Sequence, residues 1–530
     1  MSTATVSQSA PAPASAPRTH PLLLATRILR MEIRHSAFVW CLPLLVVLFI
    51  YDPYKTAVNY PALWPLRSTV VLNKFWPDMV VFSAGFSAWA GTREGRRDTS
   101  DLLGTTARPA WTRQLCALGG TAFWVVATFL AGVAAIYVQA SLQATWGGPA
   151  ISPIVVGVAG LVMVCAVAFT LGALFPGRFT APIVAVALMV VTLAAFRQAV
   201  GSTGGPIPVL SPDGSVPGND YGLFFRTTIG VPIVQVMVFG GVALVAVGLL
   251  GLSSRTGGTG WRGALSAVAV GGTRLRAAAL AFFAAGIVAV VVGGGLAASA
   301  TGSPADGYEI PSIDKGLISE SIPYTPVCSA ADGFQVCLHP AYRAYLPQVS
   351  SALDASVAEL AGLPGAPTRA VEVPQSALPP ALFEGNGDGM VTNGVYEFTM
   401  NNAIALQPDE GRLQDGFQQD IVHAVIVGSA GKAAPATGAN GPRINGVEQN
   451  NGTLAQQAVV DGLLRALGSA PYPIAAVDNG PAARQFDQQQ AEVTVAAAKF
   501  AALPAASRHA WLVANLAALK AGTITLAQLP

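Results

Sequence analysis

Up to residue 300 the chain alternates long apolar runs with short polar breaks that carry arginine, and after that its pattern changes. A helix that spans a bilayer needs about 20 mostly apolar residues, because the hydrocarbon core is about 30 Å thick. Seven stretches meet or approach that length: 37–51, 75–90, 115–142, 153–175, 181–196, 229–252 and 277–298. The first is the shortest and contains Pro43. Several are rich in Gly, Ala and Val, which suits a bundle whose backbones approach closely. Pro43, Pro77, Pro153, Pro182 and Pro232 fall near the ends of these spans or kink them.

Beyond 300 the runs shorten. Residues 300–320 read as a polar linker. Leu346, Val349, Leu353, Val357 and Leu360 recur at helical spacing, which predicts a helix over 340–363. Segments 369–373 and 395–399 read as short strands, with 402–406 as a candidate third. Further helices are predicted at 412–427, 453–467, 488–503 and 506–521. The expected layout is a disordered tail (1–24), a membrane α-helical bundle of about seven transmembrane helices (25–299), the linker, and a soluble α+β domain (321–530). About 200 residues suffice for that domain to bury its own core.

Composition agrees. Hydrophobic residues make up 52% of the chain and charged residues 11%, against about 25% charged in soluble domains. The net charge of +2 hides two opposite halves: 19 basic and 8 acidic residues up to position 300, then 11 basic and 20 acidic. The arginines are dispersed between apolar runs rather than gathered on one soluble face, which argues against nucleic-acid binding.

Arginine and lysine placement predicts orientation. Arg18, Arg27, Arg30 and Arg34 precede the first span, and Arg93, Arg96, Arg97, Arg108 and Arg113 follow the second. Arg178 lies between the fourth and fifth, and Arg255, Arg262, Arg274 and Arg276 between the sixth and seventh. The alternate connections are poorer in charge. The arginine-rich side is therefore expected to be cytoplasmic, in a multi-pass protein of the cell membrane. Seven crossings would then place the C-terminal domain outside the cytoplasm. The first twenty residues lack the basic segment and apolar run of a cleaved signal, so the first span reads as an uncleaved signal anchor.

Cys41, Cys116 and Cys165 fall in or beside spans and read as small apolar filler. Cys328 and Cys337 are the one pair in the outer half, nine positions apart; outside the cytoplasm a local disulfide is expected. Among polar residues in the spans, Lys74 and Asp78 read either as an ion pair at a helix mouth or as part of an outer gate. Gln139, Gln143 and Gln235 read either as interhelical hydrogen-bonding groups or as pathway lining.

The densest candidate chemistry lies in the cytoplasmic loop 92–114, TREGRRDTSDLLGTTARPAWTRQ. Arg93, Glu94, Arg96, Arg97 and Asp98 form a charged cluster; Asp101, Leu102 and Leu103 follow, then Arg108, Pro109 and Trp111. Ser100 or Thr99 can cap a short helix with Leu102 and Leu103 on its apolar face, and Pro109 suits a first turn. The plain reading is a positively charged loop with an interfacial helix held by Trp111 in the headgroups.

The run Trp89–Arg97 followed by Asp101–Pro109 resembles the loop between the second and third spans of ABC-2-type exporter permeases, in particular actinobacterial ones with a C-terminal extracytoplasmic domain. The resemblance covers residues 25–255 and extends to the terminal run 506–529. It implies a short coupling helix that docks on a separate ATPase subunit. Leu102, Leu103 and Trp111 would enter a groove on that subunit, and the arginines would meet its acidic rim or anionic lipid. Two features depart from the family pattern: a seventh span, and Asp rather than Glu before Leu102. The resemblance also implies a homodimer or a heterodimer with a second permease.

No P-loop is present. The run from Gly428 to Ala433 lacks the glycine spacing and the Ser/Thr of GxxxxGK[ST]. ATP and magnesium would therefore sit on the partner, with no cofactor in this chain. In the outer domain, strands followed by a helix with His423 resemble the order of gluzincin peptidases, but Asp420–Val427 lacks HExxH, and His339 and His509 stand apart. A zincin-like fold there is expected to be degenerate, holding no metal and serving for binding or as a lid. The functional expectation is a permease subunit, not itself an enzyme, that couples a partner's ATP hydrolysis to outward substrate movement. The alternatives are a membrane-anchored outer binding or sensor protein and, more remotely, a membrane-tethered peptidase.

Overall fold

The computed structural model describes residues 21–93, 110–201, 206–212, 222–253, 274–303, 307–316, 319–329, 334–378, 389–400, 410–427, 443–444, 447–448, 452–469 and 481–530. Five of its helical segments are long and apolar enough to cross a membrane: Thr26–Asn59, Ala110–Gln143, Ser152–Leu174, Gly230–Ser253 and Arg276–Ala298, with a shorter apolar helix at Thr180–Ala195. The chain is a membrane protein, mostly helical, and among the described residues its strands lie in the C-terminal region.

Helix α1 (Pro21–Arg34) carries arginine on its exposed side. A 3-10 turn over Ala37–Cys41 leads to α2 (Leu42–Phe49), a π turn at Ile50–Tyr54 and α3 (Lys55–Asn59). Pro43 stands in the first turn of α2, where its missing N–H costs nothing. That explains why the first apolar stretch looks short. Helix α4 (Trp64–Val70) runs through a second π turn at Val71–Phe75 into α5 (Trp76–Gly91). Then come α6 (Ala110–Gln143), α7 (Ser152–Leu174), α8 (Thr180–Gly201), the short α9 (Pro206–Leu210), α10 (Gly230–Ser253) and α11 (Arg274–Ala298).

With no water to expel between helices in lipid, close backbone approach holds a bundle together. A β-carbon built at Gly172 of α7 would lie 3.0 Å from the Ala88 Cα of α5, and one at Gly91 would lie 3.1 Å from the Ala173 nitrogen. Helices α10 and α11 meet the same way: a β-carbon at Gly248 would lie 2.7 Å from the Phe283 nitrogen. Between these seams Phe75 stacks on Phe129 with centroids 5.5 Å apart, and Trp76 Nε1 donates to the Gly157 carbonyl at 3.1 Å. The outward faces stay apolar, with Trp40, Val47, Tyr51, Ile183, Val190 and Val291 exposed.

The described residues between 300 and 320 are built into the bundle. Strands β1 (Thr301–Ser303) and β2 (Gly307–Glu309) form a hairpin, and the turn α12 (Pro311–Asp314) follows. Tyr308 and Ile310 pack with Val209, Val231, Val234 and Ala297. Asp314 is wholly buried. Its Oδ1 accepts the Ile229 and Gly230 amides at 3.1 and 2.8 Å, and its Oδ2 accepts the Ile310 amide at 2.8 Å. A carboxylate from the linker thus caps the N-terminus of α10, where amides lack partners and the helix dipole favours an anion.

The C-terminal domain is a five-stranded sheet backed by helices. Its strands are β3 (Val327–Cys328), β4 (Gln335–Leu338), β5 (Arg369–Glu372), β6 (Gly389–Thr392) and β7 (Val395–Phe398), in the order β3-β4-β5-β7-β6. The inner three are parallel and both edges antiparallel. The crossover between β4 and β5 carries a 3-10 turn at Pro340–Tyr345 and then α13 (Leu346–Leu360). The predicted helix over 340–363 thus begins as a tighter turn, because Pro347 suits the first turn of α13 and not its interior. The later helices are α14 (Glu410–Ile426), α15 (Leu454–Ala466), α16 (Pro481–Ala502) and α17 (Ala505–Lys520), with a two-residue hairpin pair, β8 (Arg443–Ile444) and β9 (Val447–Glu448), before α15. Thr453 and Gln456 close a capping box on α15. The candidate strand at 402–406 lies outside the described residues.

Candidate functional site

Two ends of the bundle carry the candidate residues. At the arginine-rich end, Arg93 and Trp111 are described, whereas Glu94, Arg96, Arg97, Asp101, Leu102, Leu103, Arg108 and Pro109 lie outside the described residues. Arg93 donates to both carboxylate oxygens of Glu32 on α1, at 2.7 and 3.2 Å. The bidentate pair ties the start of the loop to the N-terminal helix.

Trp111 corrects an expectation. It was expected among headgroups or in a partner's groove; it is buried inside the bundle. Its Nε1 donates to the Val247 carbonyl at 3.3 Å, and its ring lies edge-on to Phe282 at 6.0 Å, beside Gly251. The reason is that α6 begins at Ala110, so Trp111 falls on the first turn of a packed helix. The absent side chain of Gly251 leaves room for the indole.

At the opposite end the polar candidates are bound into the scaffold. Lys74 was paired with Asp78 on helical spacing; its ion pair is instead with Asp52, at 3.8 Å. Lys74 lies in the π turn, whose wider coil breaks the four-residue register. Gln143 accepts a hydrogen bond from Arg67 at 2.8 Å, and the same guanidinium donates to the backbone carbonyls of Gln139 (3.2 Å) and Tyr60 (3.4 Å). Arg67 is buried. It serves the last carbonyls of α6, where a cation is favoured. Gln235 donates to the carbonyls of Val209 and Ser211, which fixes α9 against α10. All these residues hold helices together in the structure.

The C-terminal domain meets this end through an aromatic seam. Leu63, Leu66, Leu223 and Phe224 belong to the same buried cluster as the domain's own core residues. Thr145 donates to the Ala341 carbonyl and Trp146 Nε1 to the Gly222 carbonyl, both at 3.0 Å. At the centre lies His339, its ring 4.6 Å from Trp146, 5.0 Å from Phe224 and 4.4 Å from Tyr324. Its Nδ1 accepts the Ala341 amide at 3.1 Å, and its own amide donates to Glu372 at 2.6 Å. An imidazole that accepts at Nδ1 is neutral, with its proton on Nε2. Burial pushes its pKa down to about 4, opposed in part by the Leu223 backbone.

The sign of the linkage follows. Between pH 6.5 and about 4 the unfolded chain binds the proton and the folded chain does not. The stabilisation is therefore complete above pH 6.5 and lost as pH falls to about 4, with a ceiling of ~3 kcal/mol. His339→Asn, which keeps a capping acceptor without a titrating group, should flatten the loss of melting temperature between pH 7.5 and 4.5. An unchanged acid slope in that variant would place the sensitivity elsewhere.

His423 on α14 is half-buried and also pushed down to about 4 by burial, whereas burial raises Asp461 on α15 to about 6 against the opposing charge of Arg465. Among the described residues no group of three or more His, Cys, Asp or Glu side chains is placed to hold a metal. Cys328 and Cys337 form the anticipated disulfide, facing each other across the β3–β4 register. Cys41, Cys116 and Cys165 are buried and take no part in a disulfide.

Two residues of structural weight were not singled out in the sequence, Arg67 and Asp314, and His339 was noted there only as a histidine standing apart. Arg67 is a lone cation at the edge of an apolar run, which is the one local signal available. The roles of the other two depend on contacts from distant segments. No protein-family model, curated protein or solved structure matches the chain.

Proposed function

We propose that the chain is the transmembrane permease subunit of an ABC-type exporter, driven by a separate ATPase. The observation that carries the reading is the loop motif itself: a charged cluster, Asp101-Leu102-Leu103, small residues and Arg108-Pro109, set between two apolar helices. Seven crossings would comprise the five long helices together with α5 (extended by its π turn and α4) and α8. Arg93 at one loop end and the first turn of α6 at the other lie beside α1, α10 and α11 at the arginine-rich end, which the positive-inside rule assigns to the cytoplasm. The Cys328–Cys337 bond suits an oxidising compartment for the C-terminal domain. Two copies, or this chain and a paralogue, would enclose the pathway.

In this reading force enters at loop 92–114 and reaches two places. The Arg93–Glu32 pair passes it to α1, and Trp111, wedged against α10 and α11, passes it to the bundle. At the far end the seam around His339 joins the helix ends to the C-terminal domain, so a rearrangement of α4, α6 or α10 moves that domain with it. The domain would cap the exit, as a degenerate zincin-like module with no metal. Purification of the tagged chain from gently solubilised native membranes should bring down a second chain bearing P-loop motifs. Recovery of the chain with no such ATPase, together with ligand binding by the C-terminal domain, would favour the anchored sensor instead.

A further inference from the structure

We propose that α1 is a docking surface for anionic phospholipid headgroups, and that Arg27, Arg30 and Arg34 make the contact. The three arginines are spaced three and four residues apart, so they share one face of the helix, and all three are exposed. Among the described residues none of them has a hydrogen bond or an ion pair, and no carboxylate lies within 4 Å of their guanidinium groups. The one acid on α1, Glu32, is on the opposite side and is spent on Arg93.

That opposite side is fixed to protein. Leu29 and Glu32 lie against Gly119 and Gly120 of α6, where a β-carbon would come within 3.1 and 2.9 Å of them. The Ile33 carbonyl accepts from Trp124 Nε1 at 2.7 Å. The helix therefore cannot roll to hide its arginines, and its cationic row is held outward with no acidic partner among the described residues. Two apolar side chains mark the depth: Met31, beside the row, is 53% exposed, and Trp40, in the 3-10 turn that follows α1, is 87% exposed. Arginines level with a methionine and followed by an outward tryptophan match a helix lying at the boundary of headgroups and acyl chains. The partner that fits three outward guanidinium groups there is the phosphate layer of anionic lipid. Guanidinium and phosphate pair through two parallel hydrogen bonds.

The test uses the full chain in nanodiscs of phosphatidylcholine alone and of phosphatidylcholine with phosphatidylglycerol. Lipids retained by the protein are counted by native mass spectrometry, and melting temperature is followed in parallel. A basic residue near an anionic surface contributes roughly fivefold in affinity, so three predict at least ~10-fold enrichment of phosphatidylglycerol over phosphatidylcholine. The enrichment should fall with salt. The variant Arg27→Gln/Arg30→Gln/Arg34→Gln should lose at least ~10-fold of that preference while melting like the native chain in phosphatidylcholine alone. Arg27→Lys/Arg30→Lys/Arg34→Lys should keep most of it. If the glutamine variant fails to fold, single Arg30→Gln should still show a several-fold loss. Equal retention of the two lipids by the native chain, or undiminished preference in the glutamine variants, overturns the proposal. Either outcome leaves the ATPase-coupling reading standing.

Discussion

Gly172→Leu is expected to abolish recovery of a monodisperse protein, with a cost of roughly 3 kcal/mol or more. The obstruction is backbone: a β-carbon at 172 would lie 3.0 Å from the Ala88 Cα and its carbonyl carbon alike. Relief would require the whole of α5 to move away from α7, because no rotamer change in a side chain can absorb it. Separation would also break the reciprocal approach of Gly91 to Ala173 and loosen the packing around Met79 and Phe169. Gly240→Leu is the matched control, since nothing lies within 4 Å of a β-carbon there. Size-exclusion profiles and melting curves in one detergent decide the matter. A Gly172→Leu protein that melts with the native chain would refute the backbone contact.

Asp314→Ala should be nearly as severe. Three amides, those of Ile229, Gly230 and Ile310, lose their acceptor in a site with no exposure. Leaving buried donors unmatched costs about 1–3 kcal/mol each, though not additively. The expected loss is ~3 kcal/mol or more, enough to free the β1–β2 hairpin from the bundle. Asp314→Asn retains one accepting oxygen and should recover part of it. Proteolysis between 300 and 320 reports the release. Full resistance in the alanine variant would mean that Tyr308 and Ile310 hold the segment without the cap.

Much of the bundle was legible because the bilayer imposes a length on apolar runs. The expected 115–142 and 229–252 lie within α6 and α10, with only the first residue of the latter run left outside. What was not legible came from long-range contacts. The π turn that moves Lys74 from Asp78 to Asp52 leaves no local mark in composition. Strands β3, β4 and β6 are two to four residues long, too short for alternation to register. Residues 300–320 look polar, yet Tyr308 and Ile310 dock in the core, with Ala300 and Ile313 packed beside them. The core of the C-terminal domain includes Leu63, Leu66, Leu223 and Phe224, which lie far before it in the chain and read locally as loop. Trp111 shows the same limit: an interfacial tryptophan and one packed against a neighbouring helix look identical in a sequence.

The site was legible in a different way. Loop 92–114 was singled out by a motif, whereas the seam around His339 depends on four segments converging. Among the described residues of the loop, Arg93 keeps both its place in the motif and a charged partner, Glu32.

The most direct test is ATP hydrolysis by the complex purified through this chain and placed in nanodiscs, compared between the native chain and Leu102→Asp/Leu103→Asp. The account predicts hydrolysis that elutes with the native chain and falls at least ~10-fold in the variant, as the loss of two buried leucine contacts at about 1.5 kcal/mol or more each requires. A native preparation with no hydrolysis above mock-purified membranes, or a variant that retains the full rate, would contradict it.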